Sequence, residues 1–208
     1  MKTTAYLFAR EVDRQIEALS DIDYLMHRNR GKVLQEELLP LSRLALHLKQ
    51  PGLEVDVEAF ENDRETDGYI RVTGFREQEF NVQVTCAFTY EESMRREVLT
   101  TKGTAPGAGE IYRDKKTKQI VATMAGMGTD EHASRVSRSV VELYKAKTVK
   151  KYSKDTVLII AFDSIQLYGR HNWSQLFAAL EKEGGLSGSG FMAIYLFNNA
   201  TNELHRAV

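Results

Sequence analysis

The sequence has very little cysteine, proline and tryptophan. Among its 208 residues it contains one Cys, three Pro and one Trp. A single thiol, Cys86, excludes a disulfide framework within the chain and a cysteine-rich zinc site. Because Cys86 stands at an apolar position of an alternating pattern, we interpret it as a small buried hydrophobic residue.

Long apolar stretches and net charge are also lacking. No run of about 18 apolar residues exists, which argues against a transmembrane helix. Residues 1–6 do not have the pattern of a secretory signal, so we expect a soluble, cytoplasmic protein without membrane contact. A formal net charge of -1 argues against a surface that grips nucleic acid on all sides, but it permits a local basic groove.

The order of elements predicts an α/β fold. Apolar spacing indicates helices in the first fifty residues, with Pro40 bending the second one or starting a new turn. Three closely spaced strands then predict an antiparallel meander, and buried strands alternate with helices after it. We therefore expect a mixed central sheet, made of the meander plus further strands, flanked by helices. The predicted strands are 53–60, 68–73, 79–89, 156–162, 191–197 and 203–208, and the later helices are 90–102, 130–152 and 173–183.

The length favours one well-buried core, and we expect a single domain over residues 1–208. Within it we distinguish a helical N-terminal part at 1–50, a core at 53–163, and a C-terminal helix and strands at 164–208.

One predicted strand carries polar residues that its core pattern does not need. In residues 80–88 apolar side chains stand at every second position, as in a strand with one buried face. Gln83 and Thr85 therefore share the opposite face. Acidic residues that precede this strand in the chain, and that could meet it in the fold, are Asp67, Glu36 and Glu37.

This order resembles the PD-(D/E)XK, or restriction-endonuclease-like, nuclease superfamily over residues 32–163. The resemblance implies a restriction-endonuclease-like core and a divergent DNA endonuclease that hydrolyses phosphodiester bonds with Mg²⁺ or Mn²⁺. By position, Asp67 would be the metal-binding aspartate and Gln83 the Glu/Gln ligand. The family also implies a metal contact from the carbonyl of Val84 and a helical acid, which would be Glu37 or Glu36.

Two departures from the family pattern affect the expected chemistry. Gln83 offers an oxygen but no charge, which weakens metal binding relative to Glu. Thr85 stands where the family has a lysine, and a hydroxyl does not replace an ammonium group beside a phosphate. In this superfamily the lysine is known to migrate to the long helix, so Lys147 is our candidate for it. The lysines expected to contact nucleic acid are Lys145, Lys147, Lys150 and Lys151.

Each of these features also has a structural interpretation. Asp67 and Gly68 form an ordinary turn pair, and Gln83 and Thr85 would be common residues on a half-exposed sheet. The lysines would suit a solvated helix end. The alternative function is therefore a catalytically inactive protein of the same fold that binds nucleic acid, or an accessory or inhibitory protein that binds a protein partner. DNA is the expected partner, with a protein partner or a homodimer as further possibilities.

Overall fold

The computed structural model describes residues 2–60, 65–107, 109–187 and 190–208. The helices are α1 (Ala5–Glu17), α2 (Asp21–Met26), α3 (Arg30–Val33), a π-helical turn (Leu34–Leu38), α4 (Leu39–Leu48), α5 (Tyr90–Lys102), α6 (Thr129–Thr148) and α7 (Gly169–Lys182). The strands are β1 (Lys2–Thr4), β2 (Leu53–Ala59), β3 (Gly68–Gly74), β4 (Gln78–Cys86), β5 (Ile111–Arg113), β6 (Ile120–Ala122), β7 (Thr156–Phe162), β8 (Ala193–Asn198) and β9 (Glu203–Arg206).

Seven strands form one mixed sheet in the order β1-β2-β3-β4-β7-β8-β9. The strands β2, β3 and β4 make the antiparallel meander, while β4 pairs with β7 and β7 with β8 in parallel. This confirms the predicted α/β fold with a mixed central sheet flanked by helices. The domain assignment made from the sequence stays a prediction.

One face of the sheet is covered along most of its width. The helices α1 and α4 and the π-helical turn pack there on alternate residues of six strands. Leu34, Leu41 and Leu44 of these helices are fully buried against Val57, Ile70 and Val82 of the meander. The period-2 pattern of the meander therefore corresponds to this core.

The opposite face is covered only in part. Side chains of α6 and α7 pack on β7 and β8, whose residues are buried on both faces. On the same face β2 presents Glu54, Asp56 and Glu58, which are exposed or half-buried. The sheet thus has a dry part under the two helices and an open part on β2 and β3, and β4 lies between them.

Several predicted elements differ from the structure at their ends. The long helix α6 begins at Thr129, with Gly128 as its N-cap, and ends at Thr148, four residues earlier than predicted. Lys150 and Lys151 consequently lie beyond the helix. A short first strand, β1, was not predicted, whereas α5 has the predicted bounds and ends at Gly103 in a left-handed conformation. No helix in the described ranges is long and apolar enough to cross a membrane.

Candidate active site

Asp67 immediately precedes β3 and lies beside β4. Its backbone N–H donates to the carbonyl of Val82 (2.9 Å), which continues the β3–β4 ladder by one residue. Its Oδ2 accepts hydrogen bonds from the backbone N–H of Val84 (2.6 Å) and from Nε2 of Gln83. The structure therefore brings the predicted metal aspartate and the predicted amide ligand into direct contact.

Gln83 bridges two oxygen atoms with its amide nitrogen. Besides the bond to Asp67, Nε2 donates to the carbonyl oxygen of Val84 (2.8 Å). Gln83 is only 7% exposed, because the face it shares with Thr85 is the one bordered by α6 and α7. The structural interpretation that Gln83 faces solvent is therefore wrong, whereas Thr85 is half-buried on the same face.

Glu36 and Glu37 lie in the π-helical turn, and Pro40 explains its position. Pro40 has no N–H to donate to the carbonyl of Glu36, four residues earlier. The thiol of Cys86 donates to that carbonyl instead (3.3 Å), which ties the turn to the end of β4. Single π-helical turns often occur at functional sites, and this one holds two consecutive acids beside the sheet.

The two acids of this turn have different surroundings. The carboxylate of Glu36 is bonded to Nδ1 of His27 (3.0 Å). The pKa of the Glu37 carboxyl is raised by burial and, next, by the negative charges of Asp67 and Glu36. Glu37 rather than Glu36 is therefore the acid that shares the electrostatic environment of Asp67.

Lys147 supplies the positive charge of the site. Burial lowers the pKa of its ammonium group, and the carboxylate of Asp67 opposes that shift. In turn, burial raises the pKa of Asp67, while the hydrogen bond from Val84 and then the charge of Lys147 act in the opposite direction. Lys147 lies on α6 and Asp67 just before β3, so the fold brings opposite charges that are far apart in the chain within electrostatic range of each other.

The other predicted lysines do not join this group. Lys145, Lys150 and Lys151 are exposed, whereas Lys147 is half-buried. We define the Asp67 cluster as Asp67, Gln83, Val84, Glu37 and Lys147. Asp67 and Gln83 lie at the boundary between the covered and the open part of the sheet. Glu37 of the π-helical turn and Lys147 of α6 are linked to Asp67 through their charges.

The chemistry of the cluster is that of hard oxygen donors beside one ammonium group. Within the described ranges no group of three or more His, Cys, Asp or Glu side chains is placed to hold a metal ion. The cluster has two carboxylates, and Mg²⁺ in proteins often uses one or two, with carbonyl oxygens and waters completing its octahedron.

The orientation of the Gln83 amide decides how the donors fit such an ion. Its nitrogen now lies between Asp67 Oδ2 and the Val84 carbonyl. If the amide were turned over, three oxygens would meet at that point. Oxygens around Mg²⁺ lie about 3 Å apart, since each is about 2.1 Å from the ion. The donor set therefore fits Mg²⁺ only with the Gln83 amide reversed.

Sequence reasoning missed two neighbouring groups. Arg96 of α5 forms an ion pair with Asp163 at the end of β7 and lies over the ring of Phe88, 4.5 Å from its centroid. Arg96 and Asp163 lie far apart in the chain, so no local sequence pattern predicts that they form an ion pair. His132 is 6% exposed and hydrogen-bonded to the hydroxyl of Ser164 (2.7 Å). Its place among the apolar positions of α6 was a usable signal.

Comparison with protein-family models, curated proteins and solved structures finds no match. The resemblance to the nuclease superfamily therefore rests on the residues and on the order of the elements alone.

Proposed function

We propose that the protein is a divergent Mg²⁺-dependent DNA endonuclease of the PD-(D/E)XK type. The observation that supports this most is the direct hydrogen bond between Gln83 and Asp67, two residues that the family would place at the metal. The charges of Asp67 and Lys147 also act on each other, which matters because the lysine that the family places at Thr85 is absent. A phosphodiester has to meet both a cation-binding carboxylate and a positively charged donor, and the Asp67 cluster offers both.

In this proposal Asp67, Glu37 and the Val84 carbonyl would hold Mg²⁺, with Gln83 completing the shell through its amide oxygen. Bound Mg²⁺ would lower the pKa of an attacking water and neutralise charge on the phosphate. Oδ2 of Asp67 is held by the Val84 N–H (2.6 Å) and by the Gln83 amide, which leaves its second oxygen for the ion. The raised pKa of Glu37 suits a group that accepts a proton from water.

Lys147 would donate hydrogen bonds to the non-bridging phosphate oxygens and to the attacking water. Its half-buried position lowers the pKa of the ammonium, which eases proton exchange with that water. Lys147→Gln is expected to lower the cleavage rate about 100-fold, the lower end for loss of a positioned acid–base group. Lys182→Gln removes an exposed lysine from the last turn of α7 and serves as the charge-matched control.

A second function is supported by the present orientation of Gln83. Its amide nitrogen occupies the place between two oxygens where a cation would lie. A cluster that satisfies itself in this way would also suit an inactive protein of the same fold, which binds DNA without cutting it.

Cleavage assays with Asp67→Ala test the first function. Wild-type protein with Mg²⁺ or Mn²⁺ is expected to nick or cut DNA, and the variant is expected to lose about 1000-fold in rate, since a bound ion contributes several kcal/mol. Asp155→Ala changes an exposed aspartate at the start of β7 and should cut normally. DNA binding by the wild type without cleavage under any metal condition would favour the second function.

A further inference from the structure

The chain between β4 and α6 builds a small unit of its own. Helix α5 packs on the two-stranded hairpin β5–β6 through Met94, Val98 and Ile111. Arg113 of the hairpin pairs with Glu97 of α5 (2.7 Å), and Arg95 of α5 donates to the carbonyls of Pro106 and Gly109. We call α5 with this hairpin the α5 unit.

Two exposed tyrosines of the α5 unit lie in a cleft that also contains arginine side chains. A cleft of about 590 Å³ lies between the start of α5 and β5, and Tyr90, Tyr112, Arg113 and Arg135 line it. Tyr90 is 68% and Tyr112 50% exposed, although Met94 and Ile111 at the floor of the cleft are buried. Arg113 donates a hydrogen bond to Glu97 (2.7 Å), which raises the pKa of Arg113, so this arginine is charged in the cleft.

The tip of the hairpin is strongly basic. Asp114 is used internally, because its Oδ1 accepts from the backbone N–H groups of Lys116 (3.0 Å) and Thr117 (2.6 Å). Lys115, Lys116 and Lys118 are exposed, and none is in an ion pair within the part of the chain that the structure describes. This concentration of unpaired cations stands out in a chain whose formal net charge is -1.

The α5 unit is tied to the central sheet at the ends of β4 and β7. Arg96, also on α5, is paired with Asp163 and lies over Phe88, just beyond the end of β4.

We propose that the α5 unit binds single-stranded DNA, with bases stacked on Tyr90 and Tyr112 and phosphates held by Arg113, Arg135 and the hairpin lysines. Aromatic rings beside a positively charged groove are the general means of binding unpaired bases. A duplex keeps its base faces covered by stacking and would leave both rings unused. The assignment of this strand to a nuclease substrate rests on the proposed function, whereas the stacking contact does not.

Binding of a fluorescently labelled oligothymidylate tests the stacking contact. Tyr112→Ala is expected to weaken binding at least about fivefold, because loss of one stacked base costs about 1 kcal/mol or more. Tyr112→Phe keeps the ring and should bind as the wild type does. Equal affinities for all three proteins would overturn the proposal, as would tighter binding of the matching duplex than of the single strand.

The salt dependence of the same binding tests the lysines. Removing Lys115 and Lys116 together should reduce the slope of log K against log salt by roughly 1.4, at about 0.7 for each single-strand phosphate contact. The control removes two exposed lysines elsewhere, Lys2 and Lys182, and should leave the slope unchanged. Equal slopes for the two double variants would overturn the proposal.

Failure of this proposal and failure of the nuclease proposal are distinguishable. Tyr112-dependent binding without metal-dependent cleavage would support the single-strand site and reject the nuclease. Cleavage that does not depend on Tyr112, Lys115 or Lys116, together with unchanged binding, would do the reverse.

Discussion

Two buried polar clusters lie at neighbouring strands, and they differ in charge. In the Ser164 cluster (His132, Ser164 and Asn198) the groups are neutral, and the Asn198 amide alone makes four hydrogen bonds to backbone groups. In the Asp67 cluster the groups are ionisable, and burial shifts the pKa of Asp67, Glu37 and Lys147 away from the charged form. Among the described residues, the atoms of the Ser164 cluster are hydrogen-bonded except for Nδ1 of His132. The Asp67 cluster instead keeps ionisable groups partly buried, which opposes their charged forms.

This difference separates a structural role from a functional one. A neutral network whose hydrogen bonds are made stabilises the fold, since breaking it leaves buried groups unpaired. Buried carboxylates with raised pKa values reduce stability at neutral pH and are found most often at active sites. We therefore expect changes in the Ser164 cluster to unfold the protein and changes in the Asp67 cluster to alter its chemistry.

The largest effect is expected for Asn198→Ala. Its Oδ1 accepts from the N–H of Ser164 (2.9 Å), and its Nδ2 donates to the carbonyls of Ser164 (2.7 Å) and Leu167 (2.9 Å). Asn198 is fully buried, so water cannot replace these partners. The free energy of unfolding should fall by at least about 3 kcal/mol, measured by urea denaturation.

Asn199→Ala is the matched control for that change. Both polar atoms of the neighbouring Asn199 side chain are out of contact with solvent and have no partner among the described residues. Its removal should change the free energy of unfolding by less than about 0.5 kcal/mol, or increase it. If both variants lost the same stability, the hydrogen bonds of Asn198 would not be what holds the Ser164 cluster together.

A smaller effect is expected when acid protonates His132. Burial, and next the charge of Arg135, lower its pKa from 6.5 to about 4. Between these values the unfolded chain binds a proton that the folded chain does not, so stability should fall as pH falls from 6.5 to about 4. The slope from this residue is at most about 1.4 kcal/mol per pH unit.

Comparing His132→Gln with the wild type isolates this slope. Asp67 and Glu37 have raised pKa values and act in the opposite direction, because the folded chain then binds protons more tightly than the unfolded chain. Those contributions are common to both proteins and cancel in the difference. His171→Gln, at an exposed position, should leave the slope as it is, and a wild-type slope in His132→Gln would reject the assignment.

The backbone of this fold was largely predictable from the sequence. Alternation in β2 and β4 and continuous apolar residues in β7 and β8 correspond to one and two covered faces. Helix α5 was predicted with its bounds, and Gly103 ends it as expected. The capping box of Thr89 and Glu92 at its start is a further local signal that the prediction did not use. These signals come from residues that are close together in the chain, so they can be recognised without knowing the tertiary structure.

The site was predictable only where the register of the strands decides it. Asp67 and Gln83 meet because the β3–β4 ladder places them opposite each other. Lys147 was already our candidate from the resemblance, but its half-buried position, unlike that of the exposed Lys145, depends on how α6 lies against the sheet, which no local pattern contains. The burial of Gln83 was missed for the same reason, since helices distant in the chain border its face.

The smallest effect on stability is expected for Gln83→Glu. This substitution tests whether the oxygens of the Asp67 cluster surround a cation, and so whether the two clusters really differ in role. Gln83→Glu exchanges the amide nitrogen, which bridges Asp67 Oδ2 and the Val84 carbonyl, for a charged oxygen. Without metal, repulsion between the introduced carboxylate and that of Asp67 should lower the free energy of unfolding by about 1 kcal/mol.

With a cation the same change should stabilise the protein. An added carboxylate raises the affinity of an oxygen site, and we expect at least about tenfold tighter Mn²⁺ binding in titration calorimetry, with a melting temperature that Mn²⁺ raises and a chelator lowers. Gln35→Glu is the control, because Gln35 is also buried, and its amide donates to two backbone carbonyls instead of bridging to a carboxylate. That variant should lose stability and gain no affinity for Mn²⁺. If Gln83→Glu behaved in the same way, the oxygens around Gln83 would not surround a cation, and the Asp67 cluster would belong with the Ser164 cluster as part of the framework.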